Sequence, residues 1–311
     1  MADNTTPVGP PGAANWALLL GTSILWGSAF LGMSAALADY GPLTVAAGRC
    51  SIATVVLAVV ILATGQLRGL SLTPAEAGRI ALVGLVNIAV PFALLAWALQ
   101  HVPSAFAGVT MGSVPIFLMP LVFLFQKDET IGPRRIAGLV VGFAGLVILV
   151  GPGAALEDGA LLGRLACLGA VIGYALGSIL PRRAPPVPPL VLTGGMLCTA
   201  SLVLVPLALI LEGLPAPALD GATAALVYTG VMPTALAFVL RTRIIRSAGS
   251  LFMSLVSYLV PIWAVIFGVA LRGEDLPATL FAGLALILAG IGLSEMKARR
   301  RPVSRSPHPG H

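Results

Sequence analysis

Ten apolar stretches follow one another along this chain, near 16–38, 43–63, 78–98, 103–125, 134–151, 163–181, 190–211, 222–240, 249–271 and 277–296. Each is close to the length that crosses a lipid bilayer, whose core of about 30 Å takes about 20 apolar residues in a helix. A segment alone in lipid satisfies its backbone only by becoming helical. The gaps between stretches are too short for a folded domain outside the membrane. Only 10% of residues are charged, against about 25% in a soluble domain, so a water-facing surface cannot be built. These facts predict an all-α integral membrane protein with ten transmembrane helices. The first stretch has no basic region ahead of it and is longer than a signal-peptide core, so it is expected to remain as a span.

The formal charge of +6 invites a nucleic-acid reading, but its placement points elsewhere. With a cytoplasmic N-terminus, one side of the membrane receives Arg68, Arg79, Lys127, Arg134, Arg135, Arg182, Arg183, Arg241, Arg243, Arg246, Lys297, Arg299, Arg300, Arg301 and Arg305. The other side receives Arg164 and Arg272, and Arg49 lies within a span. Cytoplasmic loops carry the Lys/Arg excess, so both ends are expected in the cytoplasm (N-in/C-in), with residues 1–15 and the basic tail 297–311 as cytoplasmic extensions. The expected location is a bacterial inner membrane, with lipid as a partner and nucleic acid excluded.

The chain also repeats itself. PIFLMPLVFLFQKDETIGPRRIAGLVVGFAGLVIL in the first half follows the same plan as PIWAVIFGVALRGEDLPATLFAGLALILAGIGL in the second. Glu129, Gly138 and Gly145 recur 145 positions on as Glu274, Gly283 and Gly290, and Pro115 recurs 146 positions on as Pro261. More weakly, LLGTSILWGSAF aligns with CLGAVIGYALGS and sets Trp26 opposite Tyr174. Five spans per half is an odd number, so residues 16–151 and 163–296 are expected to enter the membrane in opposite senses. Such inverted repeats suit a carrier that alternates between two near-mirror conformations. Receptors, anchors and intramembrane enzymes have no need of them.

These residues resemble the drug/metabolite transporter superfamily, in its ten-span form with two EamA-like halves. The resemblance is carried by WGSAF, by GPLTVAAGRC with its arginine, and by the Pro…Glu…Ala-Gly…Gly pattern closing each half, over roughly 16–296. Within that superfamily the sequence is similar to exporters of aromatic and other neutral amino acids. The resemblance implies export of small neutral metabolites by alternating access, facilitative or weakly coupled. A carrier of another solute or drug is the alternative, and a channel a more distant one.

Candidate residues follow from what is missing as well as from what is present. All twelve acidic residues lie in loops, tails or span ends, so the intramembrane carboxylate of a proton relay is absent. No metal-ligand spacing, phosphate loop, nucleophile elbow or catalytic constellation appears, and neither a cofactor nor an enzymatic activity is expected. Cys50, Cys167 and Cys198 all fall inside spans and read as small buried hydrophobes. Arg49 is the one charge well inside a span, where insertion costs about 2.5–3.5 kcal/mol. It either snorkels to the outer interface, bonds to carbonyls of a broken neighbouring helix, or meets a substrate carboxylate.

A cavity face is expected from Trp26, Asn87, Trp97, Thr110, Tyr174, Tyr228, Ser254, Ser257, Tyr258 and Trp263, aromatic faces beside neutral hydrogen-bonding groups. For each Ser or Thr the alternative is a bond back to its own helix. Pro91, Pro115, Pro233 and Pro261 read as hinges or static kinks. Gly138, Gly142, Gly283 and Gly290 read as packing surfaces that bring helices close in lipid, within the chain or in a homodimer, so the protein is expected to be a monomer or a homodimer. Trp26 stands beside Gly27, Ser28 and Ala29, which leaves its backbone bare enough for another helix to approach while the ring projects inward.

Overall fold

The computed structural model describes residues 11–125, 132–151, 159–180, 187–216 and 219–295. The loop with Lys127, Asp128 and Glu129, the Arg182–Arg183 pair, Glu157 with Asp158, and the basic tail lie outside the described residues.

Helices account for almost everything described, and no strand occurs among the described residues. In chain order they are α1 (Ala13–Ala36), α2 (Pro42–Ala63), α3 (Pro74–Gly84), α4 (Val90–Ala98), α5 (Ser104–Met111), α6 (Val114–Phe125), α7 (Pro133–Val150), α8 (Ala160–Ile179), α9 (Pro189–Leu211), α10 (Gly221–Gly230), α11 (Ala237–Ser254), α12 (Val256–Arg272) and α13 (Ala278–Glu295). Eight helical stretches are long and apolar enough to cross a membrane, and Val256–Arg272 and Ala278–Ser294 are shorter apolar helices.

Local sequence explains the helix ends. Pro42, Pro74, Pro133 and Pro189 open α2, α3, α7 and α9, where a missing N–H costs nothing. Thr73 and Glu76 close a reciprocal capping box on α3. The long run Gly221–Ser254 breaks at Gly249, whose φ of 85° is open to glycine and strained for other residues. Chain direction can change there without a loop.

Two helices carry π segments, Leu85–Ala89 between α3 and α4 and Val231–Leu236 between α10 and α11. They begin 146 positions apart. Pro91 stands in the first turn of α4, just past one π segment, whereas Pro233 lies inside the other. The two prolines are therefore displaced by about one turn relative to the widened backbone they accompany.

Packing follows the repeat. α1 lies against α12, and α8 lies against α6; α1 meets α11, and α8 meets α4; α2 meets α10, and α9 meets α3. Two pairs close on themselves, α2 with α9 and α7 with α13, and α5 lies against α12, the counterpart of α6. The α7–α13 seam is built from glycine. Gly290 rests on Gly142 and on the carbonyl of Gly138, and Gly145 and Gly283 each face the other's carbonyl. A Cβ at Gly138, Gly145, Gly283 or Gly290 would collide with backbone and one at Gly142 with the Ile116 side chain, so the expected packing glycines lie along one helix contact within the chain.

Candidate functional site

Two aromatic pairs stand at equivalent places in the halves. Trp26 on α1 meets the Phe238 ring on α11 edge-on, with centroids 6.3 Å apart. Tyr174 on α8 meets Phe92 on α4 in the same way at 6.5 Å. Phe92 and Phe238 are 146 positions apart, so the pairs echo the repeat. Each joins the opening helix of one half to the π-interrupted helix of the other.

Arg49 touches the second of these pairs. It is buried and places its guanidinium over the Phe92 ring, 3.9 Å from the centroid. Its Nε donates to Thr234 Oγ1 at 2.7 Å, and its Nη1 approaches Met33 Sδ at 3.0 Å. Thr234 donates in turn to the Thr229 carbonyl at 2.7 Å, five residues back across the π segment. The widened turn thus fixes the hydroxyl that fixes the arginine. Thr234 lies four residues before Phe238, and Met33 lies seven after Trp26, so the side chains that hold Arg49 share helices with the other aromatic pair. Burial excludes the snorkelling expectation, and the broken neighbouring helix offers Arg49 the Thr234 hydroxyl in place of the expected carbonyl.

The other expected residues distribute around this centre. Gly27 lets α12 approach α1: a Cβ there would meet Trp263 Cβ, the Val260 carbonyl and the Ala264 amide. Trp263 itself donates its indole N–H to Ser23 Oγ at 3.1 Å. Tyr228 Oη shares a hydrogen bond with Ser28 Oγ at 2.6 Å. Asn87, within a π segment, packs on Gly177 of α8. Thr110 and Ser254 bond back to the Phe106 and Leu251 carbonyls, the self-satisfying alternative for a helical hydroxyl. Ser257 and Tyr258 are half-buried near the start of α12. Trp97 meets the His101 ring at a tilt, centroids 4.5 Å apart, at the turn after α4. Pro115 and Pro261 lie in α6 and α12, and Pro261 contacts the position where Gly112 would carry a side chain.

Phe92, Phe238, Thr234 and Met33 are absent from the sequence reading. A phenylalanine in an apolar run is unremarkable by itself. The 146-position offset, applied to every aromatic residue, would have exposed the first two.

Two carboxylates bind helices from afar. Glu274 accepts from Ser104 N at 2.8 Å, Ser104 Oγ at 2.6 Å and Ala105 N at 3.0 Å at the start of α5. Glu212 does the same for Leu43 N, Thr44 N and Thr44 Oγ1 at the start of α2. Both satisfy orphan helix donors with a charge that suits the positive end of the helix. Among the described residues no group of three or more His, Cys, Asp or Glu could hold a metal.

The internal repeat has a counterpart in one known family. The model of the "EamA-like transporter family" matches residues 15–151 and again 161–296. The chain belongs to this family, within the drug/metabolite transporter superfamily. A relative named "Probable terminal-alkyne amino-acid exporter", from Streptantibioticus cattleyicolor, is 28% identical over 302 residues, covering 94% of this chain and 97% of its own. The inner membrane transporter YedA of Escherichia coli K12 is 27% identical over 276 residues, 87% of each chain. A crystal structure at 23% identity superposes with a TM-score of 0.64, covering 91% of this chain and 97% of that one, and shows the shared fold. This EamA protein is thus a multi-pass inner-membrane transport protein.

Proposed function

We propose that the chain exports small neutral metabolites, aromatic and other neutral amino acids foremost, by alternating access, without strong coupling to an ion. On this reading ten spans form two inverted five-helix repeats, 16–151 and 163–296, with both termini cytoplasmic. The break at Gly249 supports the span count, because it divides one long helical run into two rods. The single observation that carries the reading is the equivalence of the Trp26–Phe238 and Tyr174–Phe92 pairs, each joining one half to the other, with Arg49 seated over the Phe92 ring. A chamber between paired gates needs equivalent walls on both sides. Aromatic faces with few charges suit a zwitterion bearing an apolar side chain.

The test is counterflow in proteoliposomes with a labelled panel of neutral amino acids, repeated with Trp26→Ala. External amino acid should accelerate loss of label from inside, and Trp26→Ala should slow it by about tenfold, near 1.4 kcal/mol. No response to any amino acid, with response to a drug or sugar, selects the other carrier reading. Flux that never saturates selects a channel.

A further inference from the structure

We infer that Arg49 anchors the carboxylate of the transported solute, gripping it with the edge of the guanidinium that the protein leaves unfilled. This rests on the amino-acid carrier reading and adds which end of the solute is held, and by what.

Arg49 is 6% exposed, yet its acceptors among the described residues are a neutral hydroxyl and a thioether sulfur. No carboxylate among the described residues pairs with it, and Nη2 has no acceptor among them. A buried cation in lipid ordinarily pairs, or marks a substrate path. The contacts it does make hold it in a fixed pose: Thr234 takes Nε, Met33 touches Nη1, and Phe92 supports the flat face. What remains is a planar pair of N–H groups, the geometry that recognises a carboxylate bidentately.

The repeat shows that the fold does not require this charge. A Cβ on Gly230 would stand 3.2 Å from the Arg49 carbonyl oxygen. At Gly84, 146 positions earlier, it would stand 2.6 Å from the carbonyl oxygen of Met196. Counting from the helix-opening Pro42 and Pro189, Arg49 and Met196 are both the eighth residue. The same helix contact therefore forms around methionine in one half and around arginine in the other. A charge that packing does not need, kept at a place where insertion opposes it, is one the solute uses.

The test compares binding of L-phenylalanine and L-phenylalaninamide to the full-length detergent-purified chain. The two ligands share the ring and the amine and differ in the carboxylate. The wild type should prefer the acid by about tenfold to hundredfold, the range for a hydrogen bond to a charged group. Arg49→Met, which copies the natural residue of the other half, should bind acid and amide alike, with amide affinity within about threefold of wild type. Arg49→Lys, keeping charge without the fork, should fall between. Equal affinity of the wild type for both ligands overturns the inference and leaves the carrier reading intact, as does Arg49→Met retaining the preference. Competition by inorganic phosphate as strong as by L-phenylalanine marks a plain anion site and also overturns it. Binding of neither ligand by the wild type overturns both readings.

Discussion

Two helix starts, 146 positions apart, have the same ancestry in the sequence and opposite surroundings in the structure. At Ser104, the start of α5 is tied to Glu274 by three hydrogen bonds. One turn on, a Cβ on Gly108 would press on Ala264 and on the Phe30 ring of α1. At Ser250, just past Gly249, the equivalent start is exposed, and nothing approaches the Gly249 Cβ position within 4 Å. Ala105 is 0% exposed; its counterpart Leu251 is 72% exposed. α1 packs against α5, but α8 makes no comparable contact with α12. A molecule built from matching halves has broken its own symmetry by closing one end. On the alternating-access reading, the Ser104 end is the shut gate, and the opposite conformation exchanges the roles.

The largest effect should be in access itself. Cys198 is exposed, unlike the buried Cys50 and Cys167 and against expectation; with it replaced by serine, Leu251→Cys should react with a membrane-impermeant maleimide about a hundredfold faster than Ala105→Cys, a gap near 2.7 kcal/mol. Each is to be labelled from both faces of the membrane, which also locates the two starts. Equal rates would remove the asymmetry. Next comes Gly108→Leu. Overpacking costs typically about 1–3 kcal/mol, here charged to the closed state alone. Counterflow should fall about tenfold, and labelling of Ala105→Cys should rise.

Smaller again is Glu274→Gln, which keeps the shape and removes the charge. A charge-assisted bond is roughly twice as strong as a neutral one, and a helix cap is worth about 0.5–2 kcal/mol. Ala105→Cys labelling should rise about threefold to tenfold.

Asp220 supplies the control with the smallest effect. It caps its own helix α10 through Thr223 N at 2.8 Å, and that bond holds its carboxyl below the usual carboxylate value. Its contribution to stability is therefore complete at neutral pH and fades as pH falls through that lowered value. Asp220→Asn should flatten this acid limb in a thermal-unfolding series and leave the labelling ratio unchanged. A shift of the ratio would show that capping in general, rather than the Glu274 tie, sets the gate.

Much of the scaffold is legible in the sequence because lipid permits so little else. Apolar runs of bilayer length become helices, and α1 and α2 fall within a few residues of where the runs predict them. The glycines at 138, 142, 283 and 290 announce a close helix contact through their spacing, and α7 and α13 make it. Arg49 announces itself as the one charge in an apolar stretch, but nothing local reveals Thr234, Met33 or Phe92 as its company. Those contacts depend on how distant spans pack. The π segments are illegible for a different reason: a proline predicts a kink, not whether the backbone relieves it by a wider turn. Glu274 reads as a loop acid, since its partners lie 170 residues away.

The glycine seam between α7 and α13 carries a last implication. It joins the closing helix of one half to the closing helix of the other through bare backbone, and neither helix leans much on the remaining spans. On the alternating-access reading, the other segments trade neighbours during a cycle, while this clasp has few side chains to reshuffle, Leu149, Leu286 and Ser294 among them. It can keep the halves from drifting apart in the lipid while everything beside it moves.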